Sequence, residues 1–217
     1  KTNEPMKRHT TFGIGGPADC FLMPETTEEV CLITKLAHKH EVPLFVLGGG
    51  ANLLVRDKGI RGAVVFTGRL HRMERKGNLL TVASGVPTAA AARKALEYGL
   101  SGMEFASGIP GSIGGAAYMN AGAYGGEMAK IIVSATTCDA KGDIIVHSIK
   151  DMGYGYRHSP FMQNGEVILD ITLSLKPGNQ KDIEALMKDL NQRRATKQPL
   201  EKRSAGSTFK RPDGHFV

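Results

Sequence analysis

The chain contains no tryptophan, and Phe, Trp and Tyr together make up 6% of its residues. It therefore offers no platform of stacked rings of the kind that grips single-stranded nucleic acid. Cysteine is sparse: Cys20, Cys31 and Cys138 form no Cys-x-x-Cys and are odd in number. A disulfide framework and a thiolate zinc site both lack support, and buried thiols in a reducing compartment are the expectation. There is no His-Glu-x-x-His, and no Gly-Lys pair occurs anywhere, which removes the P-loop. No apolar run approaches the ~18 residues of a membrane helix, and no apolar stretch at the N-terminus reads as a secretory signal. Charge is one-sided, with 28 Lys and Arg against 21 Asp and Glu, a net charge of +7. The basic residues are scattered, however, so no basic recognition helix emerges and nucleic acid is not an expected partner. A length of 217 residues suffices for one large domain or two small ones, with a core that needs no staples.

Glycine is what the chain has in excess: 27 residues of 217, against an average usage of about 7%. The glycines are clustered. Residues 48–50 are Gly-Gly-Gly, and seven more fall between Glu104 and Glu127. Ile, Leu, Met and Tyr are interspersed, so these are not flexible linkers. The pattern implies close approach of backbone to something, with exposed N–H groups suited to a phosphate. A set of tight turns in a β-rich domain is the other reading.

Periodicity predicts strands at 18–23, 43–47, 62–66 and 166–175, and hairpins at 72–83 and 131–148 around Gly77-Asn78 and Ala140-Lys141-Gly142. It predicts a helix over 27–40 behind the capping box Thr26-x-x-Glu29, an Ala-rich helix from Pro87 to Tyr98 stopped by Gly99, and an amphipathic helix from Asp182 to about Thr196. The strand at 43–47 reads as buried and runs straight into Gly48. The mixture implies an α+β fold without regular βαβ alternation. Gly13-Ile-Gly15-Gly-Pro-Ala18 fits the dinucleotide fingerprint, but the residues after it read as extended and no helix opens there, so the match is set aside.

Four strings remain: His9 to Ala18; Leu47-Gly-Gly-Gly-Ala-Asn-Leu-Leu-Val55; the glycine-rich 104–127; and Tyr154-Gly-Tyr-Arg157-His-Ser-Pro-Phe161 with Lys197-Gln-Pro199 and Ser204-Ala-Gly-Ser207-Thr-Phe-Lys210. In this order, over nearly the whole chain, they resemble the bacterial UDP-N-acetylenolpyruvoylglucosamine reductase (UDP-N-acetylmuramate dehydrogenase) family. The resemblance implies a two-lobed FAD-binding domain of the vanillyl-alcohol-oxidase (PCMH) type, with lobes at 1–68 and 69–198 and a substrate-binding domain beginning at 199–217. It implies non-covalent FAD, NADPH as co-substrate, and reduction of UDP-N-acetylglucosamine enolpyruvate in peptidoglycan precursor synthesis. A bacterial cytoplasmic monomer with no membrane or nucleic-acid partner and no metal is expected.

The resemblance also assigns residues. Arg157 would hold the substrate carboxylate and offset charge that develops there, and Ser207 would donate the proton. FAD would meet Leu47, Gly48, Gly49, Gly50, Ala51, Asn52 and Leu53 at its pyrophosphate, Pro110, Gly111, Ser112, Gly114 and Gly115 opposite, and Asn120, Ala121 and Gly122 further along. Main chain at Val167 and Ile168 would meet a ring edge. Tyr156, Arg194, Lys197 and Arg211 would face the substrate; Arg211 stands where many members carry Asn. Taken alone, Ser207 reads as a turn hydroxyl and Arg157 as a surface cation. The chain stops at His215-Phe-Val217, a few residues into the family's third domain. A glutamate of the family's active site is therefore expected beyond it, and the chain as given is expected to lack a complete active site. The rival readings are a related FAD-dependent oxidase and a non-catalytic nucleotide-binding module.

Overall fold

A computed structural model describes residues 1–210 and Pro212. The chain opens with β1 (Thr2–Pro5), β2 (Pro17–Leu22), α1 (Thr27–Lys39), β3 (Leu44–Leu47) and β4 (Ile60–Phe66). The four strands form one sheet in the order β1-β2-β4-β3. Strands β2, β4 and β3 run parallel, and β1 is antiparallel to β2. Periodicity implied no regular βαβ alternation, yet β2–α1–β3 is one such unit, with β4 inserted between its strands. The capping box forms in altered form. Thr26 Oγ1 accepts from the Glu29 amide at 3.2 Å, while Glu29 Oε2 reaches one residue further back than expected, to the Glu25 amide at 2.7 Å.

The second half comprises β5 (Met73–Lys76), β6 (Leu79–Ala83), α2 (Thr88–Glu97), β7 (Leu100–Ser101), α3 (Ile113–Tyr118), β8 (Gly122–Ala123), β9 (Gly126–Glu127), β10 (Ile132–Cys138), β11 (Ile144–Ser148), α4 (Phe161–Asn164), β12 (Val167–Ser174), β13 (Lys176–Pro177) and α5 (Gln180–Lys197). Its main sheet is antiparallel, ordered β11-β10-β12-β6-β5. Both hairpins form where the turn residues placed them. Gly99, at φ +64°, ends α2 in the left-handed conformation that a side chain disfavours.

Each sheet has its own core. The first buries Met6, Phe21, Leu47 and Val64; the second buries Leu80, Val82, Ile171 and Leu173 against Ala91, Ala95 and Ile113. A third cluster joins the halves, with Val30 of α1 meeting Leu70, Cys138, Val167 and Leu169. Helix α5 is two residues longer at its start than the pattern implied and fully buries only Ile183 and Leu190. Of the cysteines, Cys138 is buried and Cys20 and Cys31 are half-buried.

One expectation is corrected outright. Strand β3 is an edge strand, and Val46 is 40% exposed. Leu47 and Phe45 of the apolar run pack inward, but β3 has a paired strand on one side only, so full burial is not reached. Among the described residues, no helix is long and apolar enough to cross a membrane, and no cluster of three His, Cys, Asp or Glu is placed to hold a metal.

Candidate cofactor and substrate site

The 48–53 loop leaves the C-terminal end of β3, where an open parallel sheet presents its ligand crevice. It meets the second glycine segment directly. A Cβ on Gly49 would stand 2.6 Å from Gly111 Cα and 3.1 Å from Ser112 N, and one on Gly48 would stand 2.4 Å from Ser112 Oγ. Backbone thus approaches backbone from the two halves of the chain. The two loops, expected on either side of the cofactor, touch each other directly here and form one continuous surface. The amides of Gly49, Gly50, Ala51, Asn52, Gly111 and Ser112 donate to no described residue. Gly50 and Ser112 are buried, and a buried N–H without an acceptor is rare in folded proteins. The row of unpaired donors is a cradle for an anion such as a pyrophosphate, so the residues fit FAD at this end.

Further along the expected cofactor path, Gly114 packs against Ser84, where a Cβ would meet the Ser84 side chain at 2.6 Å. The ladder of β6 with β12 ends at Ala83↔Asp170, with Ser84 N–H donating to Leu169 O at 2.8 Å. Val167 and Ile168 are paired with β10 alone. Their side chains are buried in the core, so only their main chain is available to a ring edge.

Two residues beyond the end of α3, Asn120 is the hub of a second cluster. Asn120 is buried, and its side chain donates to Gly155 O at 2.9 Å and Glu127 Oε2 at 3.4 Å while accepting from Ala129 N at 2.9 Å. Arg157 closes onto the same loop. Nη1 donates to Asn120 O at 3.1 Å, Nη2 to Gly122 O at 2.9 Å, and the guanidinium lies 5.0 Å from the Tyr156 ring centre. Asn120, Tyr124 and Arg157 have φ of +42°, +52° and +53°. Left-handed non-glycine backbone is costly and gathers at functional sites. Tyr124, Tyr156 and Arg157, with Glu127 and Lys130, line a cleft of about 230 Å³. Two of the guanidinium's five N–H donors are fixed by carbonyls, which orients the remaining ones. Spacing alone could not show that Arg157 is itself held.

The residues expected on the substrate side are only partly assembled. Arg194 packs over Gly108, where a Cβ would lie 3.1 Å from Arg194 Cδ; Ser107 Oγ donates to the neighbouring Asn191 at 3.3 Å. Arg194 is thereby brought to the segment leading into Gly111. Lys197 is exposed near the end of α5, and Arg211 lies outside the described residues. Beyond α5 the chain returns to the first half as an extended strap. Thr11 Oγ1 donates to Ser204 O at 2.6 Å, Arg203 Nη1 donates to Gly13 O at 3.2 Å, and Gly206 lies over the Asn52 side chain. Ser207 is exposed, with no hydrogen bond to another described residue. The strap carries it past the cofactor loop without joining it to Arg157.

Thr11, Tyr124 and Glu127 were missed as candidates. Each lies inside a quoted string, yet none is of a residue type that announces chemistry by spacing. A larger cleft, about 470 Å³, opens between the start of α1 and the outer face of β6 and β12, lined by Glu25, Glu28, Arg69, His71, Arg72 and Asp170. None of the residues expected at the site reaches it. There, burial pushes the Asp170 carboxyl above its ordinary range, Thr136 and Arg72 pull it down, and Glu74 adds to the rise.

Comparison with known proteins gives this geometry a family. Residues 18–148 match the FAD binding domain model. The UDP-N-acetylenolpyruvoylglucosamine reductase of Clostridium kluyveri is 48% identical over 217 residues, which is 100% of this chain and 71% of the relative. The crystal structure of UDP-N-acetylenolpyruvylglucosamine reductase from Thermus caldophilus superposes with a TM-score of 0.86 at 34% identity, over 98% of this chain and 75% of that one. 6-Hydroxy-D-nicotine oxidase from Arthrobacter nicotinovorans shares the fold alone, with a TM-score of 0.56 at 17% identity over 74% of this chain and 37% of that one. With its α+β fold, its glycine cradle and a likeness that runs from end to end, the chain belongs to the UDP-N-acetylenolpyruvoylglucosamine reductase family.

Proposed function

We infer that this chain is a flavoprotein reductase of peptidoglycan precursor synthesis, reducing UDP-N-acetylglucosamine enolpyruvate to UDP-N-acetylmuramate with NADPH as hydride source. Such a reaction between a nucleotide sugar and NADPH belongs in the bacterial cytoplasm. Residues 1–68 and 69–198 would form the two cofactor lobes, and the strap from 199 would begin the substrate-binding part. Family membership over the whole chain supports the reading. The observation that carries it is the pairing of an anion cradle at Gly49–Asn52 with the Arg157 cleft one short helix away.

Bound FAD would supply the hydride. The chain's own residues then have four tasks. The Gly49–Asn52 and Gly111–Ser112 amides hold the pyrophosphate, fixing where the reactive ring can lie. Arg157, braced on the Asn120 and Gly122 carbonyls, presents its remaining N–H groups to the substrate carboxylate. Hydride addition to the enolpyruvyl double bond leaves an enolate-like charge spread onto that carboxylate, and a cation fixed in advance stabilises it without reorganising. Ser207 Oγ gives its proton to the resulting carbanion carbon. An ordinary serine is a weak acid, but an enolate is a strong base, and nearby cations favour the alkoxide. Arg194 and Lys197 add positive charge for a diphosphate. The +7 net charge thus has small anionic ligands as its target.

The test is rapid mixing of the FAD-loaded enzyme in two halves. Ser207→Ala should leave flavin reduction by NADPH within about twofold of the parent and slow reoxidation by the enolpyruvyl substrate by at least about a hundredfold. Equal loss in both halves would remove the proton-donor role. A protein that purifies without flavin and oxidises no NADPH would remove the reading as a whole.

A further inference from the structure

Among the described residues, Thr11 ties the cofactor loop to the strap bearing Ser207. Its amide donates to Gly50 O at 3.1 Å, inside the anion cradle. Its hydroxyl donates to Ser204 O at 2.6 Å, three residues before Ser207. Two neighbouring contacts act in the same direction. Arg203 donates to Gly13 O, and its guanidinium occupies the space where a Cβ on Gly13 would fall. Gly206 (φ +87°) then turns the strap over Asn52, with a Cβ there 4.0 Å from Asn52 Oδ1. Ser207 has no hydrogen bond of its own to any described residue. Its position relative to the cradle is therefore set by the backbone on either side, and on the upstream side that backbone is anchored by Thr11 and Arg203.

We propose that Thr11 is a positioning residue for the reductase reaction: bonded to Gly50 O and to Ser204 O at once, it holds the Ser207 strap in register with the cofactor loop. The proposal rests on the proton-donor reading of Ser207. A proton donor displaced by about 1 Å loses on the order of a hundredfold in rate at the extreme, whereas loss of one exposed hydrogen bond changes an equilibrium by about fivefold. Thr11→Val keeps the shape and the amide contact to Gly50 while deleting the donor to Ser204. NADPH-driven reduction involves neither group, so the two half-reactions should part.

The experiment uses FAD-loaded enzyme and measures flavin retention, reduction by NADPH and reoxidation by UDP-N-acetylglucosamine enolpyruvate. Thr11→Val should retain flavin, reduce within about twofold of the parent and reoxidise about tenfold more slowly. Thr11→Ser, which restores the donor, should recover the parent rate, and Arg203→Ala should show the same split. Combined with Ser207→Ala, Thr11→Val should add no further loss, because both act on one proton transfer. Parent-like reoxidation in Thr11→Val overturns the proposal, as does a parallel fall of flavin retention and both half-reactions. A slow Ser207→Ala beside a normal Thr11→Val overturns the positioning role alone. A normal Ser207→Ala overturns the proton-donor reading and this role with it.

Discussion

At the residue scale the site depends on how Arg157 is held. A guanidinium braced by two carbonyls at 3.1 and 2.9 Å is a fork with a fixed plane. Lysine has the charge but cannot bridge Asn120 O and Gly122 O while still offering a bidentate face. Arg157→Lys should therefore lower reoxidation by the enolpyruvyl substrate at least about a hundredfold, with NADPH reduction of flavin kept within about twofold; stopped-flow absorbance of the flavin reads both. The residue type and its Tyr-Arg-x-Ser context were legible in the sequence. Its left-handed backbone and its dependence on Asn120 were not, because both arise from a loop folded 35 to 37 residues away along the chain.

Asp170 presents a different single-residue case. Burial raises its folded-state pKa above the ordinary aspartate value of 3.8. Between that value and the raised one, the folded state binds more protons than the unfolded state. Stability contributed by the group is therefore full below the unfolded value and falls as pH rises through the folded one. Asp170→Asn should raise the thermal midpoint at pH 7 relative to the parent. The advantage should disappear in acid below the unfolded aspartate range, where both side chains are neutral. Paired calorimetric scans at the two pH values check the sign.

At the element scale, the loops facing each other across the halves impose the strictest constraint. A methyl group on Gly49 would meet the Gly111 and Ser112 backbone, and no flexible side chain is there to yield. Gly49→Ala should push the two loops apart and weaken FAD retention by at least about tenfold, measured as flavin left after desalting. The glycine clusters were legible from composition, but the contact between them was not: Gly49 of one loop meets Gly111 and Ser112 of the other. Helices α1, α2 and α5 and the two long hairpins were read to within a few residues, since caps, turns and 3.6-residue spacing are local signals; the short α3 and α4 were not. The exposure of β3 was missed, because nothing local distinguishes the edge of a parallel sheet from its centre.

On the scale of the whole molecule, two sheets with separate cores are joined by the cluster of Val30, Leu70, Cys138, Val167 and Leu169, by the glycine loops and by the returning strap. The order of the four motif strings along the chain was legible. How the strap comes back onto residues 11–13 was not, since a contact spanning 193 residues leaves no periodic trace.

The crowding around the glycines has a practical consequence for thermostability engineering. Most glycines here are poor sites for alanine, because the added methyl would strike backbone or the local φ is left-handed. Gly153 is different: a Cβ there meets nothing within 4 Å, and its φ lies outside the left-handed range. Gly153→Ala should add about 0.4–1 kcal/mol to unfolding free energy by narrowing the unfolded ensemble, seen as a higher denaturant midpoint at unchanged slope. Gly153 lies four residues before Arg157, so the most permissive place to stiffen this chain is the approach to that arginine. Any gain in shelf life obtained there would be drawn from the same turn that, under the proposed function, meets a bulky nucleotide sugar.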